Sequence, residues 1–224
     1  MKYKYLLFDV DNTLLDFSAS EKIAICEVFN KYNISLEYID LFSKINDFCW
    51  KEYEKNTITR EKLRILRFEL MLNKINRNEL VPKNLDADYF EKMSNISINI
   101  DGSIELLKAC YNLGHIICAI SNASSYTQNK RINANEISKY ITKLYISEEI
   151  GYKKPDKDFF DYVINDTGAN RSECLIIGDS LTSDITGGIN AGIDTCWYNP
   201  NGNKTNDIVP TYTINELNDL LFIV

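Results

Sequence analysis

The stretch YLLFDVDNT at residues 5–13 decides the fold, because an apolar run ends there in two closely spaced carboxylates. The run predicts a strand from Lys4 to Val10 that is buried on both faces. Asp9 and Asp11 lie at its carboxyl end, and a buried carboxylate is costly unless a metal ion or hydrogen bonds compensate it. That edge of an open α/β sheet is also where ligands bind. An acidic turn without function is the alternative that this stretch alone leaves open.

Strands and helices alternate along the second half of the chain. Short apolar runs at residues 116–120, 144–146, 174–177 and 195–198 predict strands, and helical patterns separate them. One of these helices is predicted to follow Pro155, and another to run from Thr182 to about Ala191. Repeated βα units build parallel sheets with helices on both faces. We therefore predict an α/β fold with a doubly wound, Rossmann-like parallel sheet. The Asn- and Gly-rich segment 199–206 after the last of these strands is predicted to be a loop.

The chain between the first strand and the rest of the sheet carries no strand signal. From about residue 18 to residue 95, apolar residues recur at helical spacing. We expect four helices here, the fourth from about Ala87 to Ser94, forming an inserted helical bundle. The predicted organisation is a sheet unit made of residues 1–15 and 96–224, with a helical unit made of residues 16–95.

Composition narrows the classes of partner. The chain has 224 residues and a net charge of −7, which argues against nucleic acid and anionic membranes as partners. Its six cysteines include no C-x-x-C pair, and most lie in apolar surroundings that favour reduced thiols. Asp9 and Asp11 interrupt the first apolar run too early for a signal peptide, and no stretch approaches the roughly 20 apolar residues of a membrane span. We expect a cytoplasmic protein, in which the single histidine, His115, has a structural role.

Four loops that the sheet brings to one edge hold polar groups of complementary kinds. Asp9 and Asp179 offer hard oxygen ligands that can share one Mg²⁺. Lys154 supplies a positive charge for a phosphate oxygen and for the carboxylates, and the Ser121 hydroxyl and nearby amides supply hydrogen-bond donors. The sequence therefore predicts an anion site for a phosphoryl group. Its candidate phosphate-binding residues are Asn12, Thr13, Ser121, Asn122 and Lys154.

The two aspartates of the first loop suit different steps of phosphoryl transfer. A carboxyl group with the reference pKa of about 3.9 is ionised at neutral pH, so Asp9 can attack phosphorus directly and form an aspartyl-phosphate. Asp11 is positioned to protonate the leaving oxygen and then to deprotonate the water that hydrolyses the intermediate. We expect Asp9 and Asp11 to be the catalytic residues.

Taken together, these motifs resemble those of the haloacid dehalogenase-like (HAD) hydrolases, and the match spans the chain. The residues that carry the resemblance are Asp9-Val-Asp-Asn-Thr13, Ser121, Lys154-Pro155, and Gly178-Asp179-Ser180 with Asp184. The resemblance implies that Asp9 is nucleophile and metal ligand, and that Asp11 is the acid/base and a metal ligand through its carbonyl. It implies Mg²⁺ as cofactor, Asp179 as a direct ligand, and Asp184 as a partner that acts behind the ligands or through water. It also makes the helical unit a small cap and the sheet unit the catalytic core.

The resemblance also narrows the substrate. Haloacid dehalogenases proper lack the second aspartate, so Asp11 favours phosphoryl transfer over hydrolysis of a carbon–halogen bond. Residues 178–199, and 58–63 in the cap, are similar to bacterial pyrimidine 5′-nucleotidases. The implied partner is a small phosphorylated metabolite, foremost a nucleoside 5′-monophosphate. The cap residues that can read its leaving group are Phe17, Trp50, Arg64 and Arg67, with core packing as the competing interpretation of Trp50.

Two other functions fit the same loops. A sugar-phosphate phosphatase or phosphomutase would use identical catalytic residues, because the difference lies in whether water or a second hydroxyl accepts the phosphoryl group. A phospho-accepting regulator also combines acidic residues, a hydroxyl and a lysine around Mg²⁺. The helical insertion favours an enzyme over a regulator, because a lid excludes water from around a small substrate.

Overall fold

The computed structural model describes residues 2–205 and 207–224; Met1, the first residue of the predicted sheet unit, and Asn206, the last of the predicted loop, lie outside the described residues. The described chain divides into two compact units, one of Met1–Phe17 with Ser97–Val224 and one of Ser18–Ile96. The strands are β1 (Tyr5–Asp9), β2 (Ile116–Ser121), β3 (Lys143–Ile146), β4 (Cys174–Gly178), β5 (Asp194–Tyr198) and β6 (Tyr212–Ile214). The α-helices are α1 (Phe17–Lys31), α2 (Ile39–Glu54), α3 (Arg60–Lys74), α4 (Pro82–Ser94), α5 (Ser103–Asn112), α6 (Ser125–Asn133), α7 (Ser147–Ile150), α8 (Lys157–Thr167) and α9 (Thr186–Ala191). Short 3₁₀ helices lie at Leu36–Tyr38, Glu136–Lys139, Arg171–Glu173 and Leu217–Phe222, and a π-helical turn lies at Leu181–Ile185.

The first unit contains the sheet, whose strand order is β3-β2-β1-β4-β5-β6. Every pair of neighbouring strands is parallel. From β1 the chain passes to β2 and β3 on one side of β1, and then crosses to β4, β5 and β6 on the other side. The direction of winding therefore reverses next to β1. Ligands bind at the carboxyl ends of the strands at such a reversal. The predicted α/β fold with a doubly wound parallel sheet and an inserted helical bundle is confirmed.

Each face of the sheet packs against its own apolar cluster, because successive strand side chains point to opposite faces. Leu6 and Phe8 of β1 belong to one cluster. Leu7 belongs to the other cluster, with Phe159 and Phe160 of α8. The first strand is therefore buried on both faces, as its unbroken apolar sequence predicts.

The second unit contains the helices of the insertion, and aromatic side chains form much of its core. The Phe42 ring contacts the rings of Phe29, Phe68 and Tyr89 at centroid distances of 6.2, 5.1 and 5.4 Å. Helix α3 begins after Thr59, whose side chain accepts a hydrogen bond from the Lys62 amide at 3.2 Å. The insertion therefore has a core of its own.

Several element boundaries differ from the prediction. Helix α4 starts at Pro82 instead of Ala87, because proline is favoured at the first helical position. Helix α8 starts at Lys157, after Pro155, and strand β6 was not predicted. His115 is buried and its Nδ1 lies 2.8 Å from the Tyr3 carbonyl oxygen, which fits its expected structural role. Within the described ranges no helix is both long and apolar enough to cross a membrane.

Candidate active site

Three loops of the candidate site begin directly at the ends of neighbouring strands. Asp9 is the last residue of β1, Ser121 the last of β2, and Gly178 the last of β4. Since β1 pairs in parallel with both β2 and β4, these ends lie side by side. The loop that carries Lys154 follows β3 and α7.

A group of carboxylates surrounds the end of β1. Asp9, Asp179 and Asp184 each offer a carboxylate oxygen, and these oxygens all lie within 4.8 Å of one another. The Lys154 Nζ donates to Asp9 Oδ1 at 2.5 Å and to Asp184 Oδ1 at 2.7 Å. With all four groups ionised, three carboxylates and one ammonium leave two negative charges. That balance fits a divalent cation held by oxygen ligands.

Backbone geometry brings Asp184 into this group. A Cβ at Gly178 would lie 2.2 Å from Asp184 Oδ2, so only glycine lets that carboxylate approach the end of β4. The Ser180 amide donates to Asp184 Oδ2 at 3.2 Å. Asp184 lies in the π-helical turn, although the sequence predicts an ordinary helix from Thr182. Its carboxylate therefore lies in one group with those of Asp9 and Asp179. The role that the family resemblance implies for Asp184, behind the ligands or through water, stays a prediction.

Side chains from neighbouring loops fix the positions of Lys154 and Asp179. The Asn122 Nδ2 donates to the Lys154 carbonyl oxygen at 2.8 Å, and the Lys154 amide donates to Asn122 Oδ1 at 3.0 Å. The Asp179 amide donates to Thr13 Oγ1 at 3.1 Å, and Trp197 Nε1 donates to the Asp179 carbonyl oxygen at 2.8 Å. The side chains of Asn122 and Thr13, both predicted to bind phosphate, thus hold the loops of the site together.

The carboxylate of Asp11 has different partners from that of Asp9. Arg131 Nη1 donates to Asp11 Oδ1 at 2.5 Å, and Gln128 Nε2 donates to Asp11 Oδ2 at 3.1 Å and to Ser121 Oγ at 2.9 Å. The chain turns after β1: the amides of Leu14 and Leu15 both donate to the Val10 carbonyl oxygen, and Asn12 has a φ of 60°.

Sequence reasoning did not identify Gln128 and Arg131. Both follow Ser121 on α6, three positions apart, and therefore lie on one face of that helix. Two polar residues at this spacing, directly after a loop with a candidate site residue, were the available signal, and the structure adds that both are buried.

Burial and mutual repulsion raise the pKa values of carboxyl groups in this cluster. Burial raises the pKa of Asp9 well above its ordinary value; the Lys154 charge opposes this, and the charges of Asp184 and Asp179 add to it. Burial, followed by the Asp184 charge, raises the pKa of Asp179 to about 7. Burial alone would lower the pKa of Lys154, but the charges of Asp184 and Asp9 outweigh it and raise that pKa. The expectation that Asp9 is ionised without assistance is therefore incomplete, because its ionisation depends on nearby positive charge.

In buffer with a chelator, Asp179 is expected to make the folded protein less stable as the pH rises from about 4 to about 7. Its pKa rises from 3.8 to about 7 on folding, so across this range the folded state holds a proton that the unfolded state has lost. One such group lowers the free energy of unfolding by up to about 1.4 kcal/mol per pH unit. Urea unfolding of the wild type and Asp179→Asn across this range measures the effect as a difference in slope. Parallel curves for the two proteins would contradict the prediction.

The residues predicted to contact the leaving group lie in or beside the helical unit. Phe17, at the start of α1, and Trp50 are half-buried, and the Trp50 ring packs edge-on against Tyr53 at 5.9 Å. Arg64 donates two hydrogen bonds to Asp86 Oδ2, at 2.9 and 2.7 Å. Arg67 donates to Asp86 Oδ1 at 2.8 Å and also to Asn46 Oδ1 at 3.1 Å. Both arginines are therefore already engaged within the helical unit.

Replacing Arg67 with Met is expected to lower the free energy of unfolding by about 3 kcal/mol, because removal of one partner leaves a buried ion pair broken. The side chains of Arg67 and Asp86 are each 5% exposed. Lys62→Met, which breaks the exposed pair with Glu69 on the same helix, is the control and should change stability by less than about 1 kcal/mol. Urea unfolding of the three proteins measures both values. Equal stability of the two variants would contradict a structural role for Arg67.

The comparisons with known proteins agree with this architecture. A family model described as haloacid dehalogenase-like hydrolase matches residues 6–198. YfnB of Bacillus subtilis (strain 168) is 35% identical over 228 residues, which cover 100% of this chain and 96% of that protein. A crystal structure of YfnB bound to magnesium has a TM-score of 0.93 at 34% identity, covering 100% of this chain and 99% of that one.

Two of the relatives that are more than 30% identical have names that state a substrate. The pyrimidine 5′-nucleotidase YjjG of Escherichia coli (strain K12) is 33% identical, with 98% of this chain and 97% of that protein covered. The pyrimidine 5′-nucleotidase PynA of Streptococcus pneumoniae (strain ATCC BAA-255 / R6) is 32% identical, with 99% and 94% covered.

Proposed function

The chain belongs to the haloacid dehalogenase-like hydrolases, and we propose that it is a Mg²⁺-dependent phosphomonoesterase that hydrolyses a pyrimidine nucleoside 5′-monophosphate. The observation that carries this proposal is that two aspartates of one loop have different partners. Asp9 lies with Lys154 in the acidic group, which is formed by the carboxylates of Asp9, Asp179 and Asp184. Asp11 instead contacts Arg131 and Gln128. Two carboxylates in different environments can take different roles in one reaction.

The first step is attack by Asp9 on the phosphorus atom. A carboxylate oxygen of Asp9 forms the new bond to phosphorus, and the bond from phosphorus to the ester oxygen breaks. Asp11 gives its proton to that leaving oxygen. The Lys154 ammonium, 2.5 Å from Asp9 Oδ1, keeps positive charge beside the nucleophile and the oxygens of the transferring group.

The second step returns the enzyme to its starting state. A water molecule loses a proton to Asp11 and attacks phosphorus, and the bond from phosphorus to Asp9 breaks. The products are inorganic phosphate, an ionised Asp9 and a protonated Asp11, so the proton used in the first step is restored. Because the aspartyl-phosphate is hydrolysed, the protein turns over repeatedly, unlike a phospho-accepting regulator.

The donor set of the acidic group fits Mg²⁺. Asp9, Asp179 and Asp184 are hard oxygen donors whose oxygens lie within 4.8 Å of one another. Together with Lys154 they carry two negative charges, which one dication would neutralise. We propose Asp9 and Asp179 as direct ligands, together with the main-chain carbonyl of Asp11. When bound, Mg²⁺ neutralises negative charge on the phosphoryl oxygens.

The substrate class rests on relatives and on the insertion. YjjG and PynA are both named as pyrimidine 5′-nucleotidases and align along nearly the whole chain. We propose that the sheet unit is the catalytic core and the helical unit is the cap that selects the leaving group. Phe17 and Trp50 are the better cap candidates for contact with a base, because Arg64 and Arg67 are held by Asp86.

A phosphate-release screen tests this proposal. It compares pyrimidine and purine nucleoside monophosphates with hexose phosphates, in Mg²⁺ and in chelator. We expect the highest kcat/KM with a pyrimidine nucleotide, and no turnover in chelator. An isomerised hexose phosphate as main product would instead identify a mutase. A stable phosphoprotein without turnover would identify a regulator.

A further inference from the structure

We propose that Gln128 and Arg131 are positioning residues that orient the carboxylate of Asp11 for proton transfer to the leaving group. This inference rests on the proposed phosphatase function, because it concerns the group assigned there as proton donor. It adds a pair of residues on α6 that lies outside the four motifs.

Hydrogen bonds from two side chains hold both carboxylate oxygens of Asp11. Arg131 Nη1 donates to Oδ1 at 2.5 Å, and Gln128 Nε2 donates to Oδ2 at 3.1 Å. Arg131 Nη1 also donates to Gln128 Oε1 at 3.2 Å, which links the two side chains. Together they set the rotation of a carboxylate whose main chain has already left the strand.

Gln128 also couples Asp11 to a second site residue. Its Nε2 donates to Ser121 Oγ at 2.9 Å, and Ser121 Oγ accepts the Ala123 amide at 3.0 Å. The hydroxyl proposed to contact phosphate and the carboxylate proposed to protonate the ester oxygen are therefore fixed by one amide group. A single side chain thus sets the distance between two groups that must act on adjacent atoms of the substrate.

Burial separates this arrangement from ordinary packing. The Arg131 side chain is 1% exposed, whereas the Asp11 side chain is 24% exposed. Burying an arginine is costly, and apolar residues of similar volume often give equal or greater stability. Here the buried cation pairs with the carboxylate and leaves part of Asp11 accessible. Such an arrangement orients an accessible group at the expense of stability, as is common at active sites.

The test uses two esters that differ in their need for a proton. A nucleoside 5′-monophosphate releases an alkoxide that must be protonated, whereas p-nitrophenyl phosphate releases a stable phenolate. We expect Arg131→Met and Gln128→Met to lower kcat/KM for the nucleotide by about 10²-fold, but kcat/KM for the aryl ester by less than about 3-fold. Asp11→Asn should show the same difference between the two esters. Lys130→Met, on the same helix, should leave both values unchanged.

A double variant separates positioning from other roles. Adding Arg131→Met to Asp11→Asn should cause no further loss of kcat/KM, because both substitutions remove the same function. Equal losses on both esters, or a further loss in the double variant, would overturn the inference and indicate packing or direct phosphate contact. Gln128→Met keeps the test decisive if Arg131→Met does not fold. A wild type that hydrolyses neither ester would overturn the proposed function itself.

Discussion

Asp9→Asn is expected to lower phosphate release by about 10³-fold or more, because the amide oxygen is a poor nucleophile and no neighbouring group can replace it. Asp11 is unsuited to the role, since Arg131 and Gln128 already donate hydrogen bonds to both of its carboxylate oxygens. The measurement is steady-state release of phosphate from a nucleotide and from an aryl phosphate. Both esters should be affected, because both require attack by Asp9 on phosphorus, whether or not the leaving group needs a proton.

A rapid acid quench distinguishes loss of the nucleophile from loss of metal binding. The wild type, mixed with substrate, should yield an acid-stable and hydroxylamine-sensitive acyl phosphate, and Asp9→Asn should yield none at any Mg²⁺ concentration. The exposed residue Asp158 on α8 offers a matched control, and Asp158→Asn should behave as the wild type. Turnover by Asp9→Asn at the wild-type rate would exclude the aspartyl-phosphate mechanism.

The strands and the loops of the candidate site were predictable because they depend on local sequence. Apolar runs ending in Asp9, Ser121 and Gly178 identify strands and also their polar ends. Strand β6 was missed because it is only three residues long and lies at the edge of the sheet, where little apolar pattern is required. Helix α4 starts earlier than its apolar pattern predicts, because Pro82 occupies the first helical position, where its missing N–H costs nothing.

The partners of Asp11 depend on contacts that sequence spacing does not contain. On a continuous strand the side chains of Asp9 and Asp11 would point the same way, so spacing alone groups them. The turn after Val10 breaks that pattern and directs Asp11 towards Arg131, which is 120 positions away. Conversely, Asp184 joins Asp9 because Gly178 leaves room for it. Which carboxylates share the acidic group is therefore decided by tertiary packing.

Lys154→Met is expected to impair both catalysis and folding. Lys154 is almost fully buried and pairs with Asp9 and Asp184, so its removal leaves buried carboxylates without their cation. Breaking such a pair costs about 3–5 kcal/mol of unfolding free energy. Loss of a positive charge beside the transferring phosphoryl group lowers kcat by about 10²–10³-fold. Unfolding in urea and steady-state kinetics in Mg²⁺ measure the two effects.

The pH dependence of this loss identifies its electrostatic origin. The charge of Lys154 lowers the pKa of Asp9, so that pKa rises further when Lys154 is removed. Asp9 then stays protonated in the folded state over a wider range of pH. The loss of stability should therefore be smaller at pH 5 than at pH 8 in buffer with a chelator, because protonation removes the repulsion that Lys154 normally offsets. Lys157→Met removes an exposed ammonium close by in the chain and should change neither stability nor kcat appreciably. A loss that is identical at both pH values would mean that Lys154 acts through packing of its aliphatic chain, not through its charge.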